Sequence, residues 1–284
     1  MIHLIGMSHG LAVANAFDSS FAAMDMRDFE TPVGDGRPLP SGFETLRGAG
    51  ERPRLGDMKV FLIPRQRGWG ELVWVPENMP VGPGVFAIHR GFHELLAQVP
   101  QAPGTIVLSM LFGNEHSQMS IVEHATPYDF VFPGRLDLTP LPGRQVVPWL
   151  AIREQVQGLQ QPIGRVLSKM RAALPAARIV HCAPPPPIES AEQILAAGEI
   201  MREELNRMGV APASFRLKIY LAHLDELARN AQANGITLLG PPPAAVTPAG
   251  LLRPEFSRGA THGNAAYGAL VLDQLEQWVQ DGAA

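Results

Sequence analysis

Apolar and polar positions along this chain follow two different rhythms. Short, nearly continuous apolar runs occur at 2–5, 105–112, 177–182 and 235–240. Runs of this length, closed by Gly or Pro, predict strands buried on both faces. Between them lie stretches with helical spacing. Residues 11–17 form the first, and Phe86, Ile88, Phe92, Leu95, Leu96 and Val99 mark a second within 85–99. A long amphipathic helix is expected within 147–174, interrupted near Pro162. Ser190 should cap another through about Met208, with Glu192 in its first turn, and Ser214 should open one ending near Asn234. A last helix follows Asn264, carrying Ala265, Leu270, Leu272, Leu275 and Trp278.

Strands alternating with helices imply right-handed βαβ crossovers and a parallel sheet covered on both faces. The expected fold is therefore α/β, a three-layer α/β/α sandwich of the flavodoxin-like kind, with residues 1–284 forming a single domain. Residues 31–58 break the rhythm, being rich in Gly, Pro and Arg. Beyond them, 59–64 and 70–76 flank a polar turn and read as a β-hairpin. Residues 31–80 are thus expected to be a loop and hairpin insertion decorating the core, one that shapes specificity or an interface or is simply a surface covering. Residues 128–133 read as one more extended piece.

Composition narrows the function. With 46% hydrophobic and 18% charged residues, the chain is an ordinary globular protein. A net charge of −4 without a basic stripe gives no reason to expect nucleic acid. No run approaches the roughly 18 apolar residues that span a bilayer, and no charged leader opens the chain, so a cytoplasmic protein is expected. The single Cys182 excludes an intrachain disulfide and reads as a buried apolar residue. No glycine pattern for nucleotide phosphates is present. His89 and His93 are spaced for zinc, but Arg90-Gly91-Phe92 between them lacks the Glu of a zinc hydrolase, so neither metal nor cofactor is expected. Nothing in the pattern speaks to oligomeric state.

In parallel sheets, ligands bind outside the carboxyl ends of the strands. Ser8 sits there, between the first strand and the first helix, bracketed by Gly6 and Gly10. A hydroxyl in that position caps the helix, binds an anion or serves as a nucleophile. Asn114 follows the central strand, and His262 precedes the last helix. A serine nucleophile needs a base within reach and donors for the developing oxyanion. His262 can be that base, and the Ser8 N–H, the Asn114 amide and a loop glycine can be the donors.

Gly6-Met7-Ser8, Gly113-Asn114 and His262, in this order and at these strand ends, resemble the motifs of the SGNH (GDSL-type) hydrolases. The resemblance implies a serine esterase that hydrolyses small O-acyl esters, acetylated sugars among them, through an acyl-enzyme on Ser8. An O-acyltransferase using the same site and a binding or accessory protein without turnover are the alternatives. The family places an Asp three positions before the His, where this chain has Gly259. That leaves the orienting contact to Glu255, to another loop or to a backbone carbonyl. The family's oxyanion glycine maps to Gly82 or, as the preferred choice, Gly84. Gly113, His116 and His9 complete the expected substrate-binding and oxyanion set, although His9 reads first as a helix-start residue that packs or hydrogen-bonds locally, and His116 reads equally as a pocket-lining residue and as one that orients the loop.

Overall fold

The central strands alternate their side chains between two apolar layers, and this splits the core. Ile2 and Leu4 of β1 (Ile2–Gly6) face one layer and Ile5 the other. In the computed structural model, residues 1–19, 44–46, 55–63, 73–74, 87–88, 90–197 and 201–282 are described. α1 (Ser8–Phe17) follows β1 directly. β2 (Glu44–Leu46) and β3 (Met58–Leu62) come next, then β4 (Val73–Trp74), β5 (Ala87–Ile88), α2 (Arg90–Ala97) and the central β6 (Ile106–Met110). After α3 (Glu115–Ser120), the short β7 (Tyr128–Asp129) and β8 (Gln145–Val146) pair, and α4 (Trp149–Ala173) leads into β9 (Arg178–Cys182). The remainder is α5 (Ala191–Ala197), α6 (Arg202–Met208), α7 (Ala213–Ala233), β10 (Thr237–Leu239), a hairpin of β11 (Ser257–Arg258) and β12 (His262–Gly263), and α8 (Ala265–Asp281).

The main sheet has the order β10-β9-β6-β1-β3-β2. All its pairings are parallel except β2 with β3. It is a mixed, mostly parallel sheet between helices, with α1 and α8 on one face and α2, α4 and α7 on the other. The α/β sandwich expected from the periodicity is what the chain adopts. On the first face, Gly268 of α8 lies against α1 so closely that a Cβ there would sit 2.1 Å from the Ala12 carbonyl oxygen. The helix that begins with Ser8 and the helix that follows His262 are thereby pressed together.

Three local expectations are corrected. The hairpin joining 59–64 to 70–76 does not form: Met58–Leu62 lies inside the main sheet against β1, and Val73–Trp74 pairs with Ala87–Ile88. Its alternating burial explains this, because Val60 and Leu62 fill one layer while Phe61 and Ile63 fill the other. A strand buried on both faces belongs in a sheet interior. The expected polar turn, Arg65 to Trp69, lies outside the described residues. Second, α4 runs unbroken through Pro162. Its first half packs Ile152 and Val156 against Phe130 and Phe215, and its second packs Ile163, Val166, Leu167 and Met170 against the sheet. Burial on both sides of the proline outweighs a penalty of about 3 kcal/mol. Third, the helix expected over 190–208 is two, with Met201 in the left-handed region at φ 52° ahead of α6. Ser190 does cap the first, accepting from the Gln193 N–H at 3.0 Å.

Candidate active site

Ser8 is the first residue of α1, two residues past the end of β1, so its N–H has no carbonyl a turn earlier in the helix to bond. The partly positive helix end therefore surrounds the hydroxyl. Just behind it, a Cβ on Gly10 would fall 2.8 Å from Leu62 Cδ2, so the glycine lets α1 start close against β3. The Ser8 Oγ lies 2.9 Å from His262 Nε2 although the two residues are 254 positions apart. The far ring nitrogen, Nδ1, is 3.2 Å from the Thr261 hydroxyl. With Ser8 donating to Nε2, the imidazole proton sits on Nδ1 and is donated to Thr261 Oγ1. Both Thr261 and His262 are buried.

No carboxylate fills the orienting position: among the described residues, none bonds to His262. Glu255 is corrected accordingly. It stands on a 3-10 turn, largely exposed, with its carboxylate 3.9 Å from Arg253. Gly259, in the place of the family's Asp, is the hairpin turn itself at φ 60°. Thr261 was not singled out from the sequence, because a neutral hydroxyl beside the base carries no motif. The His262 pKa is held well below its usual value, first by burial, then by His9 and by Arg258 across the hairpin. The His262 imidazole is therefore neutral throughout the neutral pH range. Turnover by this pair is expected to stay flat from pH 6.5 to 8, and an ester-hydrolysis profile with an ionisation in that window attributable to His262 would contradict it.

The loop after β6 supplies the other side. Phe112 is at φ 63°, an unusual conformation for a bulky residue, and Gly113 follows at φ 130°. A Cβ on Gly113 would lie 3.0 Å from Pro184 Cβ and 3.1 Å from His9 Cδ2, so only glycine fits. The Gly113 N–H is taken by the Glu115 carboxylate at 3.0 Å, which corrects the expectation that Gly113 donates to an oxyanion. Its carbonyl accepts from His116 Nδ1 at 2.9 Å. His116 is buried, its pKa lowered to about 3 by desolvation, with its other nitrogen toward Ser117. Both of its ring nitrogens are thus engaged by the loop and the start of α3. Asn114 stands at the start of α3, half-buried, with Oδ1 3.0 Å from His9 Nε2.

His9 is buried too, its ring 4.7 Å from that of His262, and burial lowers its pKa to about 4. Its Nε2 faces Asn114 Oδ1, and its Nδ1 has no hydrogen-bond partner among the described residues. Ser8, His262, His9 and Asn114 thus form a contiguous group at the carboxyl ends of β1 and β6. Gly84 and Gly82 lie outside the described residues. Cys182 is buried, and its thiol is pushed up to about 12, so it is no nucleophile. Among the described residues there is no cluster of His, Cys, Asp or Glu suited to a metal ion and no helix long and apolar enough to cross a membrane.

The chain matches no family model and no curated protein. Among solved structures it is similar to a Bacteroides fragilis protein described as an acylhydrolase, with TM-score 0.46 and 9% identity over 100% of this chain and 88% of that one. It is also similar to the periplasmic domain of a lipopolysaccharide acetyltransferase of Salmonella ser. Paratyphi A, with TM-score 0.44 and 11% identity over 98% and 82%. For phospholipase A1 from Streptomyces albidoflavus the TM-score is 0.39, with 12% identity over 96% and 98%.

Proposed function

We propose that the protein is a serine ester hydrolase acting on small O-acyl esters through an acyl-enzyme on Ser8. The single observation that carries this reading is the 2.9 Å contact between the Ser8 hydroxyl and His262 Nε2 at a helix N-terminus. As an ester carbonyl is attacked by Ser8 Oγ, the hydroxyl proton passes to His262 Nε2. The carbonyl oxygen becomes an oxyanion, held by the Ser8 N–H and the Asn114 Nδ2 protons. Collapse expels the alkoxide, which takes the proton back from His262. A water activated by the same imidazole then releases the acid. Thr261 keeps Nδ1 protonated and the ring oriented, but as a neutral group it stabilises the imidazolium less than a carboxylate does. Acetyl esters, including those of sugars, are the substrates that the motif resemblance implies.

Labelling with a fluorophosphonate, followed by peptide mapping, tests the nucleophile. The expected adduct is on Ser8 and absent from Ser8→Ala; a folded, unlabelled wild type would remove the reading. Asn114→Ala is expected to lower kcat for p-nitrophenyl acetate by about 10²–10³ if its amide holds the oxyanion. Unchanged kinetics would exclude that role.

A further inference from the structure

The two ends of an asparagine side chain have almost the same shape, so only their partners decide which way the amide faces. At Asn114 a single partner decides. We propose that His9 is a positioning residue whose Nε2–H holds Asn114 Oδ1 and so turns the Nδ2 donors toward the reacting carbonyl. The inference rests on the acyl-transfer reading and extends it to a residue that does not touch substrate.

The argument starts from the His9 tautomer. The ring is buried, and its Nδ1 has no hydrogen-bond partner. Burial keeps it neutral, with one proton to place. On Nδ1, that proton would be an orphaned buried donor, and the bare Nε2 would face the Asn114 oxygen at 3.0 Å, lone pair against lone pair. On Nε2, it makes a hydrogen bond and leaves only a bare acceptor at Nδ1. An unmade buried donor is the costlier defect. The Nε2–H form is selected, and the amide oxygen is thereby committed to His9. The Asn114 Nδ2 atom then has no protein partner among the described residues, and Asn114 is only half-buried. A donor left free in this way is what an oxyanion needs before the reaction begins. Sequence supports the coupling: His9 follows Ser8 immediately, so the turn that presents the nucleophile also places the ring that aims the donor. Gly113 completes it, since a side chain there would strike the His9 ring.

A double-mutant cycle on the full chain tests the assignment, with p-nitrophenyl acetate as substrate. His9→Leu is expected to lower kcat by about 10- to 100-fold, the cost of a misplaced group, with KM within about twofold. His9→Gln, whose Nε2 can reach a similar position, is expected to recover most of that loss. In an Asn114→Ala background, His9→Leu should change kcat by less than about twofold, because the group it acts through is gone. Losses that multiply in the double mutant, or a His9→Gln variant as impaired as His9→Leu, would overturn the proposal. Should His9→Leu fail to fold, nitrogen-15 NMR of the wild-type imidazoles decides: an Nε2–H tautomer at His9 supports the assignment and an Nδ1–H tautomer ends it. Equal turnover by wild type and Ser8→Ala would instead remove the acyl-transfer reading itself, which separates the two failures.

Discussion

Ser8→Ala is expected to lower the kcat of ester hydrolysis by between about 10² and 10⁴. Removing the nucleophile from a complete serine triad costs about 10⁶, and removing the orienting carboxylate alone costs about 10⁴. His262 has the Thr261 hydroxyl at 3.2 Å and no carboxylate, so the intact protein already lacks most of the second contribution. The serine then has less acceleration left to lose. The residual rate in Ser8→Ala would come from water attack polarised by the Asn114 amide and the helix end. Steady-state assays of purified wild type and variant, matched by circular dichroism, measure the ratio. A ratio below about tenfold would place the chemistry elsewhere.

Acidification from pH 7 to pH 4 is expected to unfold the protein. Burial lowers the pKa of His9 to about 4, of His116 to about 3 and of His181 to about 4, and holds His223 and His262 well below the usual value. In the unfolded chain these imidazoles take up protons below about pH 6.5. Protons therefore bind the unfolded state first, and stability falls as the pH drops from 6.5 toward 4. By pH 4 each of the first three contributes a loss of about 3 kcal/mol, on the order of 10 kcal/mol together. That equals the whole stability of an average domain, about 5–15 kcal/mol. Far-ultraviolet circular dichroism during an acid titration should show a cooperative transition between about pH 4 and 6, steeper than a single proton allows. Activity should vanish with the structure and not before it. Retention of cooperative structure at pH 4, with an unchanged Tm, would show that these imidazoles are not held neutral.

What was legible in the chain and what was not divides along a physical line. The turn from β1 into α1, the glycine ahead of Asn114 and the position of His262 before α8 are local arrangements, written in a few adjacent residues. Periodicity therefore located them, and the topology brought them together. Contacts between distant segments have no such local signature. Residues 59–64 read as an arm of a surface hairpin because alternation reveals a strand but not its partner. The buried pair Val60 and Phe61, one on each face, was the available sign of a sheet interior. Glu255 was proposed as the orienting acid from charge type alone, whereas the fold turns it toward Arg253. His9 gave no sign of its contact with Asn114, 105 positions away. Thr261 was hidden for the opposite reason: it is next to His262, and its role depends on a ring orientation that sequence does not encode.

The distance of 254 positions between Ser8 and His262 has a consequence for synthesis. During translation Ser8 emerges 254 residues ahead of His262. Until α8 seats Gly268 against α1, the serine is an ordinary alcohol with no proton acceptor beside it. On the proposed reading, a nascent chain that lacks His262 is not expected to acylate Ser8 from cellular thioesters or esters. On the proposed reading, chains that stall before His262 are expected to be inert to a fluorophosphonate, because the pairing of Ser8 with His262 waits for the packing of α8 on α1.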